Sequence, residues 1–404
     1  MYLNRQLESS VIKANKGFPV LLVTGPRQVG KSTMLKYLKS EDRTYITLDD
    51  PRIKQAALAS PADFFRLYPP PLLIDEIQYA PSLFPYIKMV VDERDEPGLF
   101  WLTGSQLFQL MENVRESLAG RVAVMNLFPL SYGELVKDHS PPYPQDEELL
   151  IERWKIRKEI SFQTIAERIF EGGMPRLVLH RDIELQQFFS SYLQTYLQKD
   201  VRDVTHILDM SIFLRFVQLL ATRTAQELNL TSISAAVGID GTTARRWLEI
   251  LLLTGIVYKL PAWSGNLGKR LIKRPKLYFA DTGICSYLCG FETAGEAFNG
   301  PLGGALFETY VVNEIMKSWV HSGRCAPFYY VRDSNKNEID LIIERNQKLH
   351  PFEIKKSSQP AHPFKNWSML GRKKESIAYS GIICTCDQLL PAGHQRWLIP
   401  WQMI

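Results

Sequence analysis

Residues Leu21 to Leu35 read LLVTGPRQVGKSTML, an apolar run that passes into Gly25-Pro26-Arg27-Gln28-Val29-Gly30-Lys31-Ser32-Thr33. This is the pattern G-x-x-x-x-G-K-[ST], set between a predicted buried strand and a predicted helix, which is the context its mechanism requires. Gly25 and Gly30 let the backbone curl so that successive N–H groups face one anion. The helix that follows adds the positive end of its dipole. Lys31 then reaches the β and γ phosphates, and the Ser32 hydroxyl can ligate Mg2+. The stretch predicts a site for ATP or GTP.

A second element gives the first its chemistry. Pro71-Leu72-Leu73-Ile74-Asp75-Glu76 describes a buried parallel strand that delivers two acids at its C-terminal edge. Asp75 is placed to hold the Mg2+ shell, and Glu76 to orient and deprotonate an attacking water, which favours hydrolysis over simple nucleotide sensing. Before the loop, Leu3, Leu7 and Val11 recur at helical spacing; Arg5 on that helix could lie near the nucleotide, with an exposed charge as the default expectation.

Composition bounds the rest. A chain of 404 residues, 45% hydrophobic, can bury a large core and is long enough for two to four domains. Its longest apolar runs, such as Leu248 to Tyr258, are broken by Glu249, Thr254 and Gly255 and fall short of a membrane span. Residues 1–17 have no apolar core of an export signal, and five cysteines, an odd number, argue for a reducing compartment. A cytoplasmic protein is expected. Cys285/Cys289 and Cys384/Cys386 lack zinc-site spacing and read as buried thiols. The net charge of +5 only permits an anionic partner.

The series GPRQVGKST, LLIDEIQ, LTGSQ, SLAGR and FPLSYGE, in this order, resembles the prokaryotic AAA-type (AAA+) ATPases whose C-terminal half is a domain of unknown function. The resemblance covers nearly the whole chain. It implies that a polar residue at the end of the strand Leu99 to Thr103 senses the γ-phosphate, with Ser105 first and Thr103 and Gln106 as alternatives. It also implies an arginine finger that reaches a neighbouring subunit's nucleotide, Arg121 first and Arg115 second, and so a homo-oligomer.

Further along, His139 to Asp146 is Pro-rich and marks a boundary, and Phe188 to Val204 has the apolar recurrence of a lid helix. Between Thr224 and Leu260 a helix over Ser232–Val237, a turn at Gly238 to Asp240 and a second helix ending at Gly255 predict a helix-turn-helix. Strands Ile256–Leu260 and Lys276–Ala280 would form its wing, and Gly268 to Lys276 between them carries five basic residues in nine. Arg245, Arg246, Lys269, Arg270, Lys273 and Arg274 could follow the phosphates of DNA. Winged helices also dock proteins or serve as purely structural units, so both partners stay open.

The last third repeats the theme of paired acids. A helix Gly303–Val320 carrying Glu308, strands Phe328–Asp333, Glu338–Glu344 and Lys348–Lys355, a helix Phe364–Glu375 and a strand Ile377–Cys384 are expected. This order resembles the PD-(D/E)xK nuclease core. The resemblance implies that Asp340, Glu353 and the helical acid Glu308 bind Mg2+ and that Lys355 assists the attacking water. Alternation alone puts Glu353 and Lys355 on one strand face.

The expectation is therefore an α/β chain with four parts: a P-loop AAA+ core with a parallel sheet over 1–145, a helical lid over 146–215, a winged helix over 216–282 and a PD-(D/E)xK-like domain over 283–404. It binds and hydrolyses ATP with Mg2+ and acts on DNA. The alternative is a nucleotide-gated switch or protein-remodelling ATPase whose C-terminal half is a non-catalytic binding module.

Overall fold

The computed structural model describes residues 2–104, 117–138, 141–143, 146–156, 161–196, 210–264, 270, 273–361, 364–367, 369–370 and 377–404. Ser105, Gln106, Arg115 and Lys269 lie outside the described residues, as do the end of the expected lid helix and much of the helix expected over 364–375.

Three sheets organise the chain. The first contains β1 (Val20–Thr24), β2 (Thr44–Thr47), β3 (Leu72–Asp75), β4 (Phe100–Thr103) and β5 (Val122–Asn126), in the order β2-β3-β4-β1-β5. All four pairings are parallel. β1, β3 and β4 are buried on both faces, as near-continuous apolar runs require. Val20, Leu22, Leu72, Ile74, Phe100 and Leu102 pack one side, and Leu21, Val23, Leu73 and Trp101 pack the other. In this order β4 lies between β1, which ends at the glycine-rich loop, and β3, which ends at Asp75.

The second sheet is small and antiparallel, with β6 (Gln226–Glu227), β7 (Val257–Leu260) and β8 (Lys276–Phe279) in the order β6-β8-β7. Between β6 and β7 stand the helices Leu230–Val237 and Gly241–Leu253. Asp240 caps the second by accepting from the Thr242 and Thr243 N–H groups at 2.8 and 2.9 Å. The first begins two residues earlier than expected because Asn229 is its N-cap, accepting from Ser232 N–H at 3.2 Å. Ala244, Trp247, Leu248 and Leu251 are buried, and Arg245 and Arg246 are exposed, as the helical period dictates.

The third sheet, of six strands, has the order β13-β14-β12-β11-β10-β9. It is built from β9 (Phe328–Arg332), β10 (Glu338–Arg345), β11 (Lys348–Lys355), β12 (Ser380–Cys384), β13 (Leu390–Pro391) and β14 (Arg396–Pro400). β9, β10 and β11 are antiparallel neighbours, and β12 joins β11 in parallel. The last of the expected strands is shorter than its apolar run suggested: Ile377 makes only an isolated bridge to Leu349, and the strand starts at Ser380, which pairs with Arg396 of β14. The long helix Gly303–Val320 covers one sheet face, where Phe307, Val311 and Ile315 meet Leu341, Ile343 and Phe352 in one core. Trp263 and Tyr330 tie the segment after β7 to this sheet, the Trp263 backbone N–H donating to Tyr330 O at 2.6 Å.

The first helix, Glu8–Asn15, starts later than the apolar spacing suggested. Glu8 Oε1 accepts from the Arg5 N–H at 2.5 Å and from Tyr2 OH at 2.7 Å, so the preceding residues fold back over the helix start. Among the described residues no helix is long and apolar enough to cross a membrane.

Candidate functional site

The glycine-rich loop joins β1 to the helix Lys31–Leu38, and its shape depends on its two glycines. Gly25 has φ +135, and a Cβ there would lie 2.1 Å from the Leu127 carbonyl oxygen. Gly30, at φ +94, is the left-handed N-cap of the helix. Pro26 and Val29 are buried, Arg27 is half-buried, and Gln28 and Thr33 are exposed. The Lys31 ammonium folds back into the loop and donates to Gly25 O at 2.9 Å and Pro26 O at 2.8 Å.

Across β4, Asp75 meets the loop. Ser32 Oγ donates to Asp75 Oδ1 at 2.5 Å, Tyr45 OH donates to Asp75 Oδ2 at 3.1 Å, and the Thr103 hydroxyl also donates to Asp75 Oδ1. A carboxylate ringed by hydroxyls is a hard oxygen-donor set, which fits Mg2+. Ser32 and Asp75 are the residues that would hold it. Glu76 sits one residue past the strand in the left-handed region, φ 58, with its N–H on Thr103 Oγ1 at 3.1 Å and its carboxylate accepting from the Gln78 amide. Tyr45 and Thr103 therefore belong to this centre. Thr103 was visible in the sequence as a polar strand end, whereas nothing in the pattern pointed to Tyr45.

Arg5 is not the exposed charge expected from helix periodicity. It is 5% exposed, and its guanidinium donates to Val29 O at 2.7 Å, Phe128 O at 2.7 Å and Glu134 Oε1 at 3.0 Å. The fork thus braces the back of the loop. Beside it a cavity of about 660 Å³ opens between Gly30 and Thr33 on one side and Tyr2, Pro175 and Arg176 on the other. Its volume is in the range of small-molecule sites.

A second polar centre lies on the third sheet. Asp340 on β10 and Glu353 on β11 are each 4% exposed, and one carboxylate oxygen each of Glu308, Glu338 and Asp340 gathers within 4.8 Å. Lys276, at the start of β8, is buried among them. Its ammonium is 2.8 Å from Glu308 Oε1 and 3.6 Å from Asp340 Oδ1, and it also pairs with Glu338 Oε1. Lys355 Nζ is 3.5 Å from Asp340 Oδ2 and 3.6 Å from Glu353 Oε2. Burial alone would depress the Lys276 ammonium's pKa, but Glu308, Asp340 and Glu338 outweigh it and raise it. Burial lifts the Glu308 carboxyl to about 7 although Lys276 opposes it. Burial would also lift Asp340, yet Lys276, Lys355 and the Ile354 N–H hold it below the usual carboxylate range. The expected Glu308, Asp340, Glu353 and Lys355 are thus brought together, and Glu338 and Lys276 join them. Glu338 was legible as an acid two residues before Asp340. Lys276 was counted among the wing's basic residues and is instead 1% exposed.

Residues 17–136 match a family model described as an AAA domain. This part of the chain is an AAA-type ATPase domain. Residues 162–295 and 303–404 match two domains of unknown function, DUF8612 and DUF4143. The uncharacterized proteins Rv2008c of Mycobacterium tuberculosis and Mb2031c of Mycobacterium bovis are each 29% identical over 346 residues, 85% of this chain and 71% of theirs. Among solved structures, the Walker-type ATPase PABY2304 of Pyrococcus abyssi is 14% identical with a TM-score of 0.44, covering 71% of this chain and 96% of its own. AMPPCP-bound DnaA from Aquifex aeolicus is 14% identical with a TM-score of 0.31, covering 60% of this chain and 84% of its own.

The ATPase domain is bound to both following parts. His321, at the end of the long helix, accepts from the Phe128 N–H at 3.1 Å through Nε2 and presents Nδ1 to Glu134 Oε1 at 3.4 Å. On the same helix Glu314 Oε2 accepts from the Tyr132 N–H at 2.6 Å, and Lys317 Nζ donates to Leu130 O at 3.1 Å. Gly255, just past the helix Gly241–Leu253, packs on the ATPase loop so closely that a Cβ there would lie 3.1 Å from the Pro26 ring. Arg245 and Arg246 are exposed on the helix Gly241–Leu253, and Lys273 and Arg274 are exposed just before β8. Arg270 is not available in the same way. It donates to Glu344 Oε2 at 2.7 Å and to Ser264 O at 2.6 Å, and its guanidinium carbon lies 4.8 Å from the centre of the Tyr329 ring. Arg121, before β5, is paired with Asp92 at 2.5 Å, at the opposite end of the sheet from its own loop.

Proposed function

We propose that the chain binds and hydrolyses Mg-ATP and uses the cycle to change how its winged helix engages DNA. The meeting of Ser32 Oγ and Asp75 Oδ1 at 2.5 Å, with Glu76 on the next residue, carries the hydrolytic part. Bound Mg2+ would supply charge neutralisation at the outer phosphates. Lys31 exchanges its two loop carbonyls for the β and γ phosphates, Ser32 and Asp75 would hold the Mg2+, and Glu76 takes a proton from the attacking water. The cavity beside Tyr2 and Arg176 takes the base and ribose. Arg121 reaches a neighbouring copy's phosphate in a homo-oligomer once it leaves Asp92.

The contact between Gly255 and Pro26 supports the link to DNA, because Pro26 lies in the loop that closes on phosphate and Gly255 ends the helix that carries Arg245 and Arg246. Metal-dependent cleavage of DNA by the C-terminal acids is not part of this reading, since the buried Lys276 ammonium stands among Glu308, Glu338 and Asp340.

The test is Glu76→Gln. Nucleotide affinity should stay within a few fold of wild type while turnover falls by at least a hundredfold. Hydrolysis by this variant at the wild-type rate would remove Glu76 as the base. DNA affinity compared with and without a non-hydrolysable ATP analogue tests the second half. Equal affinities would sink it.

A further inference from the structure

The acids of the third sheet have the residue types of a divalent-cation site, yet their geometry does not fit one in this fold. Three carboxylate oxygens within 4.8 Å of one another need a cation at their centre. Lys276 Nζ already provides it, in contact with Glu308 and Glu338 and 3.6 Å from Asp340. On the other side of Asp340, Lys355 Nζ spans to Glu353 at 3.5 and 3.6 Å. The two lysines differ in freedom. The Lys355 side chain is 43% exposed and can swing into solvent, whereas that of Lys276 is 1% exposed.

Lys276 also belongs to a different structural unit from the acids. It opens β8, whose partners β6 and β7 are the wing, and Tyr278 two residues on donates to Glu308 Oε1 at 2.6 Å. Tyr330 OH on β9 donates to Glu227 Oε1 at 2.9 Å, pinning β6 to the same edge. A metal ion could therefore enter only if the wing strand withdrew its lysine. A divalent ion and an ammonium cannot share one buried pocket of that size.

We propose that Lys276 is the resident cation of the C-terminal acidic centre, closing it to divalent metal and clamping the wing to the third sheet. The centre is an ion-paired socket in this arrangement, and only a movement of β8 converts it into a metal site. This goes beyond the ATPase reading and does not depend on it.

Mn2+ alone decides the matter, measured by titrating nucleotide-free full-length protein and reading free Mn2+ by electron paramagnetic resonance. Wild type and Asp340→Asn should bind Mn2+ equally, with no site that Asp340→Asn removes. Lys276→Met should gain one site, at least tenfold tighter than any in wild type, that the Lys276→Met/Asp340→Asn double variant loses. Lys276→Arg, which keeps the charge, should gain none. A wild-type Mn2+ site abolished by Asp340→Asn would overturn the proposal, and so would a folded Lys276→Met with no new site. Should Lys276→Met fail to fold, the wild-type and Asp340→Asn comparison still decides, equal binding supporting the proposal and a lost site refuting it.

Discussion

The Arg5 guanidinium holds the Val29 carbonyl at 2.7 Å, so a residue ahead of the first helix fixes the back of the phosphate loop. Its other donors hold Phe128 and the buried Glu134. Replacing Arg5 with Ala leaves Glu134 without the cation its burial requires, which costs about 3–5 kcal/mol for a buried pair. Arg5→Ala should melt well below wild type and bind ATP at least tenfold more weakly. Arg5→Lys should recover little, because one ammonium cannot serve three divergent acceptors. Unchanged melting and unchanged ATP affinity in Arg5→Ala would show that the brace is idle.

Thr103 Oγ1 connects the two acids, donating to Asp75 and accepting from the Glu76 N–H. Valine at this position keeps the shape and removes both bonds in a buried site. Thr103→Val should lower kcat at least tenfold while ATP affinity changes less than threefold, since the hydroxyl orients the acids and touches no phosphate in the proposed pose. Tyr45→Phe, which removes one bond to the outer Asp75 oxygen, should instead raise the Mg2+ concentration needed for half-maximal turnover. An increase in ATP KM alone for Thr103→Val would place Thr103 in binding rather than in orientation.

The nucleotide loop was legible because its chemistry is local. Gly25, Gly30, Lys31 and Ser32 are neighbours in sequence, and the apolar run before them implies the strand that aims them. Asp75 was legible for the same reason at the end of LLID. Arg5 was not, because a periodic helix start suggests a solvated arginine, and its three acceptors, Val29, Phe128 and Glu134, are scattered along the chain. The C-terminal acids were legible one by one through strand alternation, and the helix Gly303–Val320 and the strand Lys348–Lys355 have the bounds the pattern suggested. Lys276 reversed the meaning of that set. A lysine that opens an apolar strand after a basic stretch looks like one more surface cation, and only tertiary packing buries it. Arg270 followed the same course, since Glu344 and Tyr329 lie far away in sequence.

Stability should fall on acidification through the joint between the ATPase domain and the long helix. Burial depresses His321, with Arg5 and Lys317 adding to it and Glu134 opposing it. The ring is neutral, because Nε2 accepts from the Phe128 N–H. The unfolded chain takes up a proton on His321 below about pH 6.5 that the folded chain refuses, so stability drops as pH falls through that value. Burial alone would raise Glu134, but His321 and then Arg5 hold it well below the usual carboxylate range, so its contribution is present above about pH 4.5 and lost as pH falls below it. Both groups act in the same direction. Between pH 7.5 and 5.5, wild type should lose about 1 kcal/mol more than His321→Gln in chemical denaturation. Parallel pH profiles would mean that His321 titrates alike in both states.

The proposed DNA contact and the packing of the three-stranded sheet separate at two arginines. Arg245 is exposed on the second helix of the helix-turn-helix, whereas Arg270 is committed to Glu344 and Ser264. A phosphate contact contributes about one unit to the slope of log affinity against log salt. Arg245→Ala and Lys273→Ala should each weaken binding to unrelated duplexes uniformly and flatten that slope by about one unit. Arg270→Ala should leave the slope unchanged and lower the melting temperature instead, because it strands Glu344 and uncovers Trp263 and Tyr329. Binding measured by fluorescence anisotropy from 50 to 300 mM salt distinguishes the two. A slope that changes with Arg270 but not with Arg245 would move the DNA off the helix and onto the sheet edge, and salt-independent affinity in all of them would leave the winged helix a protein-docking unit.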